Sequence, residues 1–212
     1  KQANNWNSEV IMALSVDPKS TGGNTAGSFN CFMVYSLPKD CAATDGNGNP
    51  TPFLAGKGWG QYLNVSKQFY DTYEENDLRK ASVITSYYST NYKSMVTSDD
   101  IGSKWSGFIL NKYPIEVNSQ YQPGNIPLAR WADVLLMYAE ADVRKSNSVT
   151  SSAINCVNQV RHRAGLGDLP NSATSSVAAF MDALITERGH ELLFEGCRKI
   201  DLIRFNRYYT TM

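Results

Sequence analysis

The sequence predicts a mainly α fold, in which helices of the tetratricopeptide type pack with a loop-rich region carrying short strands. Three observations lead there. After Pro127 apolar residues recur at helical spacing through three long segments. Before it the chain is rich in Gly, Asn, Ser, Thr and scattered aromatics, with only short β-branched runs. The first two helical segments together span about 34 residues, the length of one tetratricopeptide unit. The change of texture divides the chain into a loop-rich region, residues 1–125, and a helical region, residues 126–212.

Taken in order, "SEVIMALSVD" (Ser8–Asp17) alternates loosely and predicts a strand. From Pro18 to Gly60 turn-forming residues dominate, which predicts a long ordered loop or a set of turns, and loops of this length usually carry function. "SKQFYDTYEENDLRK" (Ser66–Lys80) predicts a helix with Ser66 as N-cap and Phe69, Tyr73 and Asp77 four residues apart. "ASVITSYYS" and "WSGFILNKYP" are β-branched and aromatic, and predict strands. "LARWADVLLMYAEADVRK" then puts Ala132, Leu135, Leu136, Ala139 and Val143 on one helical stripe, with Trp131 expected in the core between helices. "SNSVT" ends that helix. "SSAINCVNQVRHRAGLG" predicts a second, with Ile154, Val157, Val160 and Ala164 inward and Gly165 or Gly167 at its end. "SVAAFMDALITERGHELLFEG" predicts a third, running to Gly196, and "RKIDLIRFNRYY" resumes helically after a break. One helix pair cannot bury both its faces, because stacked repeats need neighbours.

Lys+Arg and Asp+Glu stand at 20 each, so the chain lacks the general basic footprint of a nucleic-acid-binding protein. No run of 18 apolar residues occurs, and "KQANNWNSEV" lacks the basic start and apolar stretch of a signal peptide. The four cysteines, Cys31, Cys41, Cys156 and Cys197, allow three pairings. Cys31 and Cys41 flank a loop and could bridge, while Cys156 lies in a helical apolar pattern and reads as a buried free thiol.

The densest chemistry is "ERGHELLFEGCRKIDLIR", Glu187 to Arg204. Glu187, Glu191 and Glu195 recur every four residues, so on a helix their Cβ atoms lie about 5–6 Å apart. That is close to the roughly 5 Å between the carboxyl groups of a retaining glycosidase. Catalytic carboxylates, however, face each other across a cleft, and a stripe on one helix does not. Like charges in a stripe repel unless paired, and Arg161, Arg163, Arg188, Arg198 and Arg204 supply the partners, with Asp201 completing the set. Arg forks hold carboxylates in bidentate fashion, so the pattern predicts structural ion pairs between helices. His162 and His190 sit in helices among charges, and no Ser or Cys beside them suggests a triad. "DGNGNP" begins like a calcium loop, with Asp45, Asn47 and Asn49 at positions one, three and five. Pro50 then replaces the required Gly and Gly56 the closing Glu, so a turn is expected and no metal site. "GKGWG" has alternate glycines without the helix that would complete a nucleotide site.

"IPLARWADVLLMYAEA", "VNQVRHRAGL" and "ITERGHELLFEGCRKIDLIR" occur in order, and together they resemble the C-terminal helical signature of the SusD/RagB family. "SEVIMALSVD", "GWGQYLNVSKQFYDTYEENDLRK" and "FILNKYP" fall where that family has similar segments, so the resemblance covers nearly the whole chain. It implies a SusD-like fold and a nutrient-binding lipoprotein on the outer surface of Bacteroidetes bacteria. Family members are longer, with helices before this point and a Pro- and Asn-rich tail after it. The chain is therefore expected to be part of a longer one, with the lipid anchor to the outer membrane outside it.

What the resemblance implies is binding without catalysis, without a cofactor and without a metal. The ligand would be an oligosaccharide, delivered to a partner TonB-dependent (SusC-like) transporter. The alternatives are a peptide-binding member of the same family and, ranked last, a glycoside hydrolase using Glu residues of the helical half. Sugar rings need flat apolar faces, and their hydroxyls need directional polar partners. The loop-rich region offers Tyr35, Phe53, Trp59 and Tyr62 for the first and Asn47 and Asn49 for the second, with Tyr87, Tyr88 and Asn64 as further candidates.

Overall fold

Helical structure dominates from residue 131 onward, where the apolar spacing predicts it. The structure is a computed structural model that describes residues 7–16, 30–51, 62–97, 107–113 and 122–212. In chain order its elements begin with β1 (Val10–Leu14), α1 (Phe32–Ser36), β2 (Asn64–Val65) and α2 (Lys67–Tyr70). A 3-10 turn (Leu78–Ser82) leads into β3 (Val83–Ile84), β4 (Ser86–Ser89), β5 (Ser94–Thr97), β6 (Phe108–Leu110) and β7 (Ile126–Arg130). The helices that follow are α3 (Trp131–Ser146), α4 (Ser151–Arg163), α5 (Asn171–Thr174), α6 (Val177–Glu191), α7 (Arg198–Arg204) and α8 (Tyr208–Thr211).

These elements form two compact units. The helical unit joins Pro127–Met212 to two stretches from far upstream, Asn7–Ala13 and Tyr73–Arg79. The loop-rich unit takes its described residues from Leu14–Thr72 and Lys80–Ile126.

In the helical unit Ala132, Leu136, Ala139 and Val143 of α3 meet Ala153, Val157 and Val160 of α4, with Phe180 and Leu184 of α6 closing the core. Alanines at these positions let the backbones approach closely. The α3–α4 corner is fixed by Asn147 in the left-handed region (φ 49°) and by Thr150, whose hydroxyl accepts from the Ala153 N–H at 3.0 Å. After α4 Gly165 takes φ +79°, and a Cβ there would meet Leu78 Cγ at 2.9 Å. Its predicted role as helix terminator thus carries a packing requirement too.

In the loop-rich unit β2, β6 and β3 form an antiparallel sheet in that order, with Val65 opposite Phe108 and Val83 opposite Leu110. β4 and β5 form a hairpin with Tyr87 opposite Val96. Val34, Leu37, Cys41, Tyr87, Val96, Ile109 and Leu110 are buried in this unit. Ser36 Oγ accepts the Leu110 N–H at 2.6 Å, which ties α1 to β6.

Five expectations need correction. The helix predicted over 66–80 begins at the expected Ser66 cap, whose Oγ accepts from Phe69 N at 3.2 Å, but α2 ends at Tyr70. Downstream, Asp77 turns inward to bind Arg79, which a continuous helix would prevent. The helix predicted to reach Gly196 stops at Glu191, because Arg130 Nη2 takes the Glu191 carbonyl at 3.1 Å and Phe194 and Gly196 adopt positive φ. Trp131 is half exposed at 51%, since one residue along a helix rotates it about 100° off the stripe. Cys31 and Cys41 are both free thiols. Tyr87 is a core residue, its hydroxyl donating to Asp40 at 2.9 Å.

Candidate functional site

The loop-rich unit holds the candidate ligand residues. Asn30 starts α1: its Oδ1 accepts from Phe32 N at 3.1 Å and its Nδ2 donates to the Gly124 carbonyl at 3.1 Å. That anchor places Tyr35 one turn into the helix, where its carbonyl accepts from Tyr62 N at 2.8 Å. The two rings meet edge to face, with centroids 6.4 Å apart and planes at 67°. Tyr62 is 71% exposed and Tyr35 is half-buried beneath it, so the pair offers aromatic surface to solvent. Cys31 beside Tyr35 raises the phenol's pKa, its charge being the first cause. Phe53 and Trp59 lie outside the described residues.

Asn47 and Asn49 form a second group at a hairpin tip closed by the Thr44–Pro50 bridge. Asp45 Oδ1 accepts from the backbone N–H of both Asn47 and Asn49 at 2.8 Å, and Oδ2 accepts from Asn49 Nδ2 at 2.8 Å. These bonds, the Asn49 side chain first, pull the Asp45 carboxyl below its ordinary pKa. The Asn49 amide is thereby committed to the turn, whereas the exposed Asn47 amide projects from it. Gly46 lets the tip lie on Tyr88, since a Cβ at Gly46 would stand 3.1 Å from Tyr88 Cε2. The tip therefore carries the exposed Asn47 and rests on the Tyr88 ring through Gly46. Among the described residues no group of three or more His, Cys, Asp or Glu is arranged to hold a metal ion.

The acidic stripe lies in the helical unit and is almost entirely out of water: Glu187, Glu191 and Glu195 side chains are 3%, 5% and 6% exposed. Glu187 Oε1 accepts from Arg79 Nη1 at 2.6 Å, and its Oε2 lies 3.5 Å from Arg161 Nη1. Glu191 meets Arg130 Nη2 at 2.8 Å, Arg163 Nη2 at 2.5 Å and Arg79 Nη1 at 3.3 Å. Glu195 takes Arg130 through two parallel bonds of 2.8 and 2.7 Å. Arg130 and Arg163 both reach Glu9 as well. Arg188 turns away from this group, to Asp133 at 2.9 Å and Asp201 at 2.8 Å. Arg198 donates to the Ile185 carbonyl at 2.9 Å.

Each stripe carboxylate is buried and held by guanidinium, so none is open toward a substrate as a nucleophile or general acid must be. Burial opposes the charge on Arg79, but the Asp77 and Glu187 carboxylates outweigh it and raise its pKa. His190 stacks on Tyr73 at 4.0 Å, and burial followed by the Arg79 charge pushes it down to about 4. Sequence reasoning missed Arg79, Arg130, Glu9 and Asp77. No spacing rule could find Arg79, Arg130 and Glu9, because the partners lie 108, 65 and 121 residues apart in Arg79–Glu187, Arg130–Glu195 and Arg130–Glu9, whereas Asp77 enters only through Arg79, two residues on.

The model of the SusD family matches residues 8–212. SusD-like protein P38 of Formosa agariphila is 27% identical over 217 residues, which takes in 96% of this chain and 41% of that protein. A laminarin-binding SusD-like protein superposes with a TM-score of 0.73 at 24% identity, over 98% of this chain and 44% of its own. Surface glycan-binding protein A from Bacteroides thetaiotaomicron, in complex with laminarihexaose, superposes at 0.62 with 20% identity, over 97% and 45%. The chain thus spans a little over two-fifths of the length of the relatives it matches. Among the described residues no helix is long and apolar enough to cross a membrane.

Proposed function

The chain belongs to the SusD family, and from that premise we propose that it captures an oligosaccharide at the extracellular face of an outer membrane. From there the glycan passes to a TonB-dependent, SusC-like transporter. The protein binds and delivers without chemistry of its own, and a lipid outside this chain anchors it. The observation that carries the proposal is the exposed Tyr35–Tyr62 corner, pinned through the main chain. Aromatic faces with fixed orientation and the exposed Tyr62 ring suit the apolar faces and hydroxyl rims of sugars. The hairpin tip supports the same reading, with the exposed Asn47 on a turn whose Gly46 lies against the Tyr88 ring. Two structural neighbours bind laminarin or laminarihexaose, which makes a glucan a sensible first ligand to try. Phe53 and Trp59 belong to the proposed ligand set on sequence grounds.

Burying much of one tyrosine ring against a sugar contributes about 1–3 kcal/mol. Tyr35→Ala and Tyr62→Ala should each weaken glycan affinity by roughly tenfold to a hundredfold. Calorimetric titration of both variants within the full-length protein tests this. Unchanged affinity in both, with folding intact, would move the site away from the corner.

A further inference from the structure

The charge cluster of the helical unit does not balance. Among the described residues Glu9, Glu74, Asp77, Glu187, Glu191 and Glu195 supply six carboxylates, and Arg79, Arg130, Arg161, Arg163 and Arg198 supply five guanidiniums. His190 adds no charge near neutral pH, and the Tyr73 phenol beside it stays protonated. The groups come from every element that meets here. Glu9 precedes β1, and Tyr73, Glu74, Asp77 and Arg79 lie on the 73–79 stretch. Arg130 ends β7, and Arg161 and Arg163 are on α4. Glu187, His190 and Glu191 lie on α6, Glu195 in the turn after it, and Arg198 on α7.

The deficit falls unevenly. Glu191 has three guanidiniums and Glu195 a bidentate one. Glu187, buried to 3%, has no cation to itself. Its closer partner, Arg79, gives Nε and Nη2 to Asp77 and shares Nη1 between Glu187 and Glu191. Its other partner, Arg161, is nearer to Glu74, at 2.9 Å, and donates Nε to the Gly167 carbonyl. Two almost fully buried carboxylates thus share the one Nη1 amino group, an N–H each, and stand close together around it.

We propose that the Glu187 carboxyl takes up one proton in mild acid, and that this proton tightens the hold of the 73–79 stretch on α6, making the cluster an acid-set latch. Protonation removes the surplus charge and the repulsion from Glu191, while the remaining carbonyl lone pairs still accept from Arg79. Burial pushes the Glu187 carboxyl above the ordinary carboxylate range, against the pull of Arg79 and Arg161. A carboxyl whose folded pKa exceeds its unfolded one binds its proton first in the folded chain. The stabilisation is then complete below the unfolded value of about 4.3. It is lost as pH rises through the folded value.

Denaturant unfolding of the 212-residue chain between pH 8 and pH 4.5, beside Glu187→Gln, tests the latch. The glutamine fixes the neutral form. The folding constant of the wild type relative to the variant should therefore climb as pH falls from the folded pKa toward the unfolded one and level off below it, always by less than the tenfold per pH unit that a single proton sets as the upper limit. A ratio that is flat, or that falls with pH, overturns the proposal. Should the variant not fold, titration of the Glu187 13Cδ signal in the wild type decides. A one-proton step above about 4.3 supports the latch, and a step at or below that value overturns it.

Discussion

Glu191→Gln should destabilise the helical unit. Glu191 is 5% exposed and is the one carboxylate that touches Arg79, Arg130 and Arg163 together. Removing one partner of a buried ion pair costs about 3–5 kcal/mol, because the other charge is left without compensation. Two features pull this case to the lower end. Gln keeps a carbonyl oxygen that can accept one bond, and each arginine retains another carboxylate: Asp77 for Arg79, Glu195 for Arg130 and Glu9 for Arg163. The expected loss is then about 3 kcal/mol. For a chain of this length that lowers Tm by roughly 6–12 °C. Thermal melting followed by circular dichroism measures it, with Glu74→Gln as control. Glu74 is 55% exposed, so its pair with Arg161 is worth about 1 kcal/mol or less. A Glu191→Gln protein melting within about 1 °C of wild type would refute the reasoning. If that protein also lost turnover of some glycan, the stripe would have to be reconsidered as catalytic.

Residues 126–206 alone should fail to form a monomer that melts cooperatively. Trp131, Met137, Tyr138, Ile200 and Ile203 are exposed already in the whole chain, and the fragment would in addition lose Glu9, Asp77 and Arg79 from its buried charge cluster. Analytical ultracentrifugation with calorimetry decides, and a monomer with one sharp transition would contradict it. Gly165→Ala should cost about 1–2 kcal/mol, because the residue needs a left-handed φ of +79° and its Cβ would press on Leu78 Cγ at 2.9 Å. An unchanged denaturant midpoint would refute that.

Where a segment's structure follows from its own residues, the sequence discloses it. The α3 stripe, the inward face of α4, the Ser66 cap and the Asp45–Asn49 turn are all local, and each is found in its predicted place. The end of α6 is different. Its last carbonyl is taken by Arg130, 61 residues earlier, so nothing near Glu191 announces the stop. Asp77 reads as a helical residue by spacing, yet it buries its carboxylate against Arg79 and breaks the helix. The acidic stripe was legible as a charge problem, and Arg161 and Arg163 were legible as part of its solution. Arg79, Arg130 and Glu9 were not, because only folding brings them there. In the candidate ligand region composition singles out aromatics among Gly and Asn. It does not distinguish Tyr87, turned into the core with its hydroxyl on Asp40, from Tyr62, turned out to solvent.

The claim that this protein captures glycan through its loop-rich unit is tested most directly by a glycan microarray probed with the full-length protein and with its Tyr35→Ala/Tyr62→Ala double variant. The account predicts that the wild type retains a defined set of oligosaccharides and that the double variant, folded to the same melting temperature, loses them. Binding of no glycan by the wild type, or an undiminished pattern in the double variant, would contradict it.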